Sequence, residues 1–167
     1  DDCRIPRRHL LGVENAGFLH IMQNFQGERL VGGIMAYTGS EIALRDAIKY
    51  TKERQAFGRP INTFQVWRHT FAEHLTAIEA AKALAYQGVQ AIAQGGDPTK
   101  IVSMVKLYCG DLAQKITYDC LQAHGGYGFV EEYDIARQYR DERLITIGGG
   151  TSEIMKEIIW KWDSMGG

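Results

Sequence analysis

This 167-residue sequence predicts an all-α fold, an up-and-down helical bundle, on three observations. Apolar residues recur at three- and four-residue intervals over long stretches, as amphipathic helices require. Nothing alternates apolar and polar with period two for long, so no half-buried strand is expected. The three prolines, Pro6, Pro60 and Pro98, fall between those stretches rather than inside them, and the connections are short. Broad apolar stripes on long helices are best buried against one another.

Residues 1–16 read as extended, with no helical period and a charged turn at Glu14-Asn15. From about Gly17 to Arg54, Phe18, Met22, Phe25, Leu30, Ile34, Tyr37, Ile42 and Ile48 trace one stripe, with an irregularity expected near Gly27. Gly58 and then Pro60 end that helix. A second helix from about Thr63 to Ala93 carries Phe64, Trp67, Phe71, Leu75, Ile78, Ala81, Ala85, Val89 and Ile92. Gly95-Gly96 turns the chain, and Asp97 followed by Pro98 reads as an N-cap with proline at the first helical position. The third helix carries Ile101, Val105, Tyr108, Leu112, Ile116 and Cys120; a short helix around Tyr133–Glu142 and a last one from about Ser152 to Trp162 complete the set.

Composition narrows the partners. Nineteen basic against 20 acidic residues give a net charge of -1, with neither sign in a long block. A nucleic-acid partner is therefore not expected. No apolar run approaches the roughly 18–20 residues of a membrane span. Cys3, Cys109 and Cys120 form no metal-binding spacing, and Cys109 and Cys120 share a helix face as small buried groups do, which predicts free thiols and a reducing compartment.

The chemistry concentrates in Gln122–Glu153. Gly125-Gly126 with Gly128 form one glycine cluster, and Gly148-Gly149-Gly150 form another, followed at once by Thr151, Ser152 and Glu153. Glycines let a backbone approach a bulky polar ligand, and a helix beginning Thr-Ser-Glu offers unpaired N–H groups and hydroxyls to an anion. Taken alone, each is also what a loop turn and a helix cap look like. His124, inside the first cluster, reads as a packing residue. Upstream, Lys52–Gln65 runs KERQAFGRPINTFQ, and the Arg54 guanidinium suits a pyrophosphate, which it can meet with two parallel hydrogen bonds.

Together and in this order, the three elements strongly resemble the C-terminal helical domain of the acyl-CoA dehydrogenases, which are flavoenzymes. The resemblance covers nearly the whole chain. It implies that residues 1–16 are the tail of a preceding β-domain, that 17–167 form the bundle, and that the family's N-terminal helical and middle β-domains are absent here. It implies FAD as cofactor, with Arg54 on the diphosphate and Phe57 and Gln65 beside it. Gln122, Gly125 and Gly126 match the QxxGG element along the adenosine, and Thr151, Ser152 and Glu153 match the run that contacts the flavin. Several such contacts cross between subunits in the family, so a homodimer or homotetramer is implied. So is a compartment, the cytoplasm of a bacterium or the mitochondrial matrix of a eukaryote.

The implied reaction is α,β-dehydrogenation of an acyl-CoA thioester, with electrons passed to an electron-transfer flavoprotein. Many members of the family carry the catalytic base immediately before the Gly-Thr-Ser run. Here that position is Gly149, which has no side chain. A minority, the long-chain and isovaleryl-CoA dehydrogenases among them, place the base on the first long helix. Gln26-Gly27-Glu28-Arg29-Leu30 supplies a carboxylate there, so Glu28 is the candidate base. Arg29 matches the arginine beside the thioester, the Gly149 N–H matches a donor to its carbonyl, and Gly150 lines the same mouth. Phe18, Met22, Phe25 and Leu30 are expected in the core rather than along the acyl chain. A flavin oxidase of the same fold and a non-catalytic helical scaffold are the rival readings.

Overall fold

The first long helix, α1, runs unbroken from Gly17 to Glu53 in the computed structural model, which describes residues 2–164. The last residues of the expected bundle, 165–167, lie outside the described residues. No irregularity occurs at Gly27, where an added Cβ would meet nothing within 4 Å, so the glycine is tolerated without a kink. A two-residue antiparallel hairpin follows, β1 (Gln55–Ala56) and β2 (Arg59–Pro60). Phe57 and Gly58 turn it, both with positive φ (53° and 78°), the twist that tight hairpins favour. Helical periodicity could not foresee so short a pair.

Helix α2 (Gln65–Ala93), α3 (Thr99–His124), α4 (Asp134–Asp141) and α5 (Ser152–Ser164) complete the set. Asp97 accepts the Thr99 N–H at 2.9 Å, so it caps α3 as expected, with the regular helix beginning one residue later. Residues 2–15 are exposed and irregular, with a 3-10 turn at Arg7–His9 and, as expected at Glu14-Asn15, a turn closed by the Ala16 N–H on the Val13 carbonyl at 3.1 Å.

Helix α3 is central. Thirteen of its 26 residues are buried, against six of the 29 in α2, and it packs on α1, α2, α4 and α5. The buried α2 face is Phe71, His74, Ile78, Ala81, Ala85 and Gly88, a three-and-four rhythm that admits one polar side chain. The His74 imidazole meets the Asp119 carboxylate across the α2–α3 contact at 2.8 Å, which satisfies the buried ring. Cys109 and Cys120 are buried free thiols, as expected, and burial pushes both up to about 12.

The expected stripes are partly corrected. Of Phe18, Met22, Phe25 and Leu30 only Leu30 is buried, and Phe18 is 70% exposed. The first turns of α1 run past the bundle and meet only the α2–α3 connection, so the periodicity is real but has no partner on this chain. Leu75, Val89, Ile92 and Tyr108 are likewise exposed. No helix among the described residues is long and apolar enough to cross a membrane.

Candidate functional site

Functional side chains collect at two places along α1. Against its middle, a cleft of 360 Å³ lies between α1 and the 141–149 connection, lined by Glu28, Arg29, Lys106, Glu142 and Gly149 with Met35 and Ile145 as apolar wall. Successive residues on a helix point about 100° apart. Arg29 therefore turns inward, 5% exposed, while Glu28 stays at the exposed rim. There its Oε1 accepts a hydrogen bond from Asn24 Nδ2 at 2.5 Å, one turn earlier.

The glycine run is held from behind. The Gly148 N–H donates to the Leu144 carbonyl at 2.9 Å, and the chain then passes through two positive φ values, 66° at Gly149 and 106° at Gly150. Arg29 Nε donates to the Gly149 carbonyl at 2.9 Å, and Lys106 Nζ donates to the Gly150 carbonyl. A Cβ at Gly150 would lie 2.8 Å from Met155 Cε, the far end of a flexible side chain, so φ more than space is what asks for glycine here. Burial lowers the pKa of both cations, and at Lys106 the charge of Arg29 adds to that effect.

Two of the expected ligand hydroxyls already have partners in the chain. The Ser152 hydroxyl donates to Asp111 Oδ1 at 2.9 Å, which fastens the turn to α3, and Thr151 Oγ1 accepts the Ile154 N–H at 3.4 Å as the cap of α5. A hydroxyl can donate and accept at once, so each keeps capacity for a further hydrogen bond. Beside them lie backbone N–H groups and the exposed Glu153 carboxylate, whose pKa is lowered by its own backbone N–H and then by Thr151.

Three residues escaped sequence reasoning. Lys106 sits in register with Val102, Cys109 and Ala113 on the buried α3 face, a signal that was present: a lysine in the core phase of a helix. Asp111 and Glu142 sit among other charged residues and carried none. The Glu142 carboxyl is pushed up to about 7, chiefly by burial and then by Asp141.

The second cleft, 520 Å³, is lined by Arg54, Gln122, Gly125, Gly126, Trp67 and Tyr127 among others. Arg54 caps the C-terminus of α1. Gly125 ends α3 with φ 58°, and a Cβ at Gly125 or Gly126 would meet no atom of this chain within 4 Å. His124 is a packing residue, as expected: Nδ1 donates to the Cys120 carbonyl at 2.7 Å and the ring stacks on Tyr50 at 4.4 Å. The structure thus brings Arg54, Gln122, Gly125 and Gly126 together. It leaves Phe57 and Gln65 outside this cleft: Phe57 is 95% exposed at the hairpin tip, and Gln65 pairs with His69 at 3.3 Å. At 1.5 Å per residue, Glu28 and Arg54 are about 39 Å apart along α1. Among the described residues no group of three or more His, Cys, Asp or Glu could hold a metal ion.

Residues 15–162 match the family described as acyl-CoA dehydrogenase, C-terminal domain. The chain is 39% identical over 159 residues to the mitochondrial long-chain specific acyl-CoA dehydrogenase of Sus scrofa, covering 95% of this chain and 37% of that protein. It is 36% identical to the caffeyl-CoA reductase-Etf complex subunit CarC of Acetobacterium woodii, covering 95% and 42%. The crystal structure of acyl-CoA dehydrogenase from Geobacillus kaustophilus superposes with a TM-score of 0.93 at 37% identity, over 96% of this chain and 42% of that one. The match over residues 15–162 makes this all-α bundle an acyl-CoA dehydrogenase C-terminal domain. The chain belongs to the acyl-CoA dehydrogenase family, and it spans about two fifths of the length of the relatives it matches.

Proposed function

We propose that this chain is the helical domain of an FAD-dependent acyl-CoA dehydrogenase that removes the α- and β-hydrogens of an acyl-CoA thioester. One observation carries the reading: Glu28, Arg29 and the side-chain-free Gly149 line a single cleft. A carboxylate on the rim supplies a base, and the Gly149 N–H, which has no backbone acceptor among the described residues, supplies a donor. Glu28 takes the α-proton, and the amide faces the thioester oxygen as charge develops on it.

The chain also fits the cofactor. The open space beside Gly125 and Gly126 is one that a Cβ would fill, and the Arg54 guanidinium at its edge suits a diphosphate. When bound, FAD supplies the hydride acceptor for the β-carbon. Arg54, Gln122, Gly125 and Gly126 would hold the adenosine-diphosphate part, and the 149–153 turn the flavin part. Because Glu28, in the cleft beside that turn, and Arg54 sit about 39 Å apart along one helix, we infer that a second copy of the chain completes each site, in a homodimer or homotetramer. The named Etf complex of a relative supports an electron-transfer flavoprotein as redox partner.

The test is an absorbance spectrum of the full-length protein before and after addition of acyl-CoAs of graded length and branching. A bound flavin that bleaches with at least one of them is the expected result. A flavin that none of them reduces would overturn the reading. Abundant peroxide during turnover in air would favour an oxidase instead. The 167-residue chain alone is expected to fold without turning over substrate.

A further inference from the structure

Two buried cations stand behind the Gly149–Gly150 turn with no carboxylate in ion-pair contact among the described residues, although Asp111 and Glu153 lie near enough to Lys106 to offset part of its desolvation. Arg29 is 5% exposed and Lys106 2% exposed, and neither appears in an ion pair among the described residues. A buried charge without a counter-ion is costly and is kept only where other dipoles hold it. Here the dipoles are two successive peptide carbonyls, Gly149 on Arg29 and Gly150 on Lys106.

The consequence follows from peptide geometry. In a trans peptide the C=O and the next N–H point in opposite directions, and no cis bond occurs among the described residues. With both carbonyls drawn onto the cations, the N–H groups of Gly150 and Thr151 are turned away from them. The Gly149 N–H lies between two fixed points, the Gly148 N–H on Leu144 and the Gly149 carbonyl on Arg29. Asp111 fastens Ser152 one step further on. A glycine run that could adopt many conformations is thereby held, with the N–H groups of Gly149, Gly150 and Thr151 lacking a backbone acceptor among the described residues.

We propose that Lys106 is a positioning residue for the dehydrogenation. Through the Gly150 carbonyl, and together with Arg29, it fixes the amides that receive the thioester oxygen, and its charge makes the α-proton more acidic. This rests on the function proposed above. Lys106 touches neither substrate nor cofactor in this account; it acts through the turn.

The experiment uses full-length holoprotein with Lys106→Met, Lys106→Gln and Lys106→Arg, and a 3-thiaacyl-CoA matched in length to whichever acyl-CoA bleaches the wild type. The first readout is the apparent pKa of the α-proton of the bound analogue, followed by its long-wavelength band. We expect Lys106→Met to raise it by about one unit, tenfold in acidity, and Lys106→Arg to restore most of the difference. The second is flavin reduction at saturating acyl-CoA, expected to fall about tenfold to a hundredfold in Lys106→Met, with the binding constant changing less. An unchanged α-proton pKa and reduction rate in Lys106→Met would overturn the proposal, as would equal loss in Lys106→Arg. Should Lys106→Met fail to fold, Lys106→Gln, which keeps a donor and drops the charge, decides by the same readouts. If no acyl-CoA bleaches the wild type, it is the dehydrogenase reading that fails, before Lys106 is tested.

Discussion

The two clefts, one against the middle of α1 and the other at its C-terminal end, are built on different principles. Around Gly149 the chain supplies everything that fixes the turn: two buried cations, a serine–aspartate hydrogen bond and a methionine packed where a Cβ would go. Around Gly125 and Gly126 it supplies almost nothing but room and one exposed guanidinium. On the function proposed above, the first region would be preorganised for charge that develops during a reaction, and the second would be a receiving surface for a bulky polar group. The contrast explains why the glycines of the two clusters, so alike in sequence, should answer differently to substitution.

The base assignment gives the largest expected effect. In the full-length protein, Glu28→Gln should retain flavin while reduction by acyl-CoA falls about 10²–10⁴-fold. The Glu142 carboxyl lies in the same cleft and titrates near 7, a value suited to a base. Its Oε1 packs against Gly39, however, about 16 Å along α1 from Glu28, so Glu142→Gln should leave reduction within a few-fold. Stopped-flow traces showing the reverse order of effects would move the base to Glu142. A relocated carboxylate, Glu28→Gly with Gly149→Glu, should recover part of the rate. A Cβ at Gly149 has room, its nearest neighbour being Arg29 Cγ at 4.0 Å, but φ 66° is unfavourable.

At the other cleft, Arg54→Ala should weaken FAD retention by about tenfold to a hundredfold, the worth of one charged hydrogen-bonding partner, with flavin still bound behaving normally. Unchanged flavin content after gel filtration and dilution would reduce Arg54 to a helix-end charge.

The glycines test the contrast itself. Gly150→Ala should destabilise the 167-residue chain by about 1–3 kcal/mol, because its φ of 106° and the Met155 methyl both oppose a Cβ. Gly126→Ala meets no neighbour and should change stability by less than about 0.5 kcal/mol while still impairing flavin retention. Equal thermal shifts for the two would remove the distinction between a built turn and an open one.

The smallest effect is on pH dependence. The folded pKa of Glu142 is raised to about 7 from an ordinary 4.5, so between those values the native state holds a proton that the unfolded chain has lost. Stability should therefore fall as pH rises through that window, and Glu142→Gln should flatten the fall. Melting curves at pH 5 and 8 that change in parallel for both proteins would contradict this.

Much of this was legible in the sequence. Helical period and punctuation gave five helices to within a residue or two, since long amphipathic stripes leave few alternatives. Where periodicity failed, at Phe18, Leu75 and Val89, the stripe continued past the surface that this chain can cover. Arg54, Gln122, Gly125 and Gly126 stood out in the sequence by residue type and spacing, and the fold gathers them in one cleft. The internal partners of the Thr151 and Ser152 hydroxyls, the Ile154 N–H and Asp111, could not be read from the sequence, because a cap and a ligand contact use the same residue types. Lys106, Asp111 and Glu142 gained their meaning only in three dimensions, from burial and from the carbonyl, hydroxyl or helix each of them meets.

The central claim is that one chain carries two half-sites too far apart to serve one cofactor. With two-fold symmetry, the Glu28 stretch of each α1 would meet the C-terminal end of its partner's α1, giving two composite sites. Co-expression of full-length Glu28→Gln and Arg54→Ala chains under separate tags measures this directly. In a mixed pair one composite site carries both substitutions and the other carries neither. The account predicts that purified mixed oligomers hold flavin in the intact site and that this flavin is reduced at the wild-type rate. Mixed oligomers whose flavin content and reduction are only the average of the two parents would contradict it, because every site would then draw both residues from a single chain.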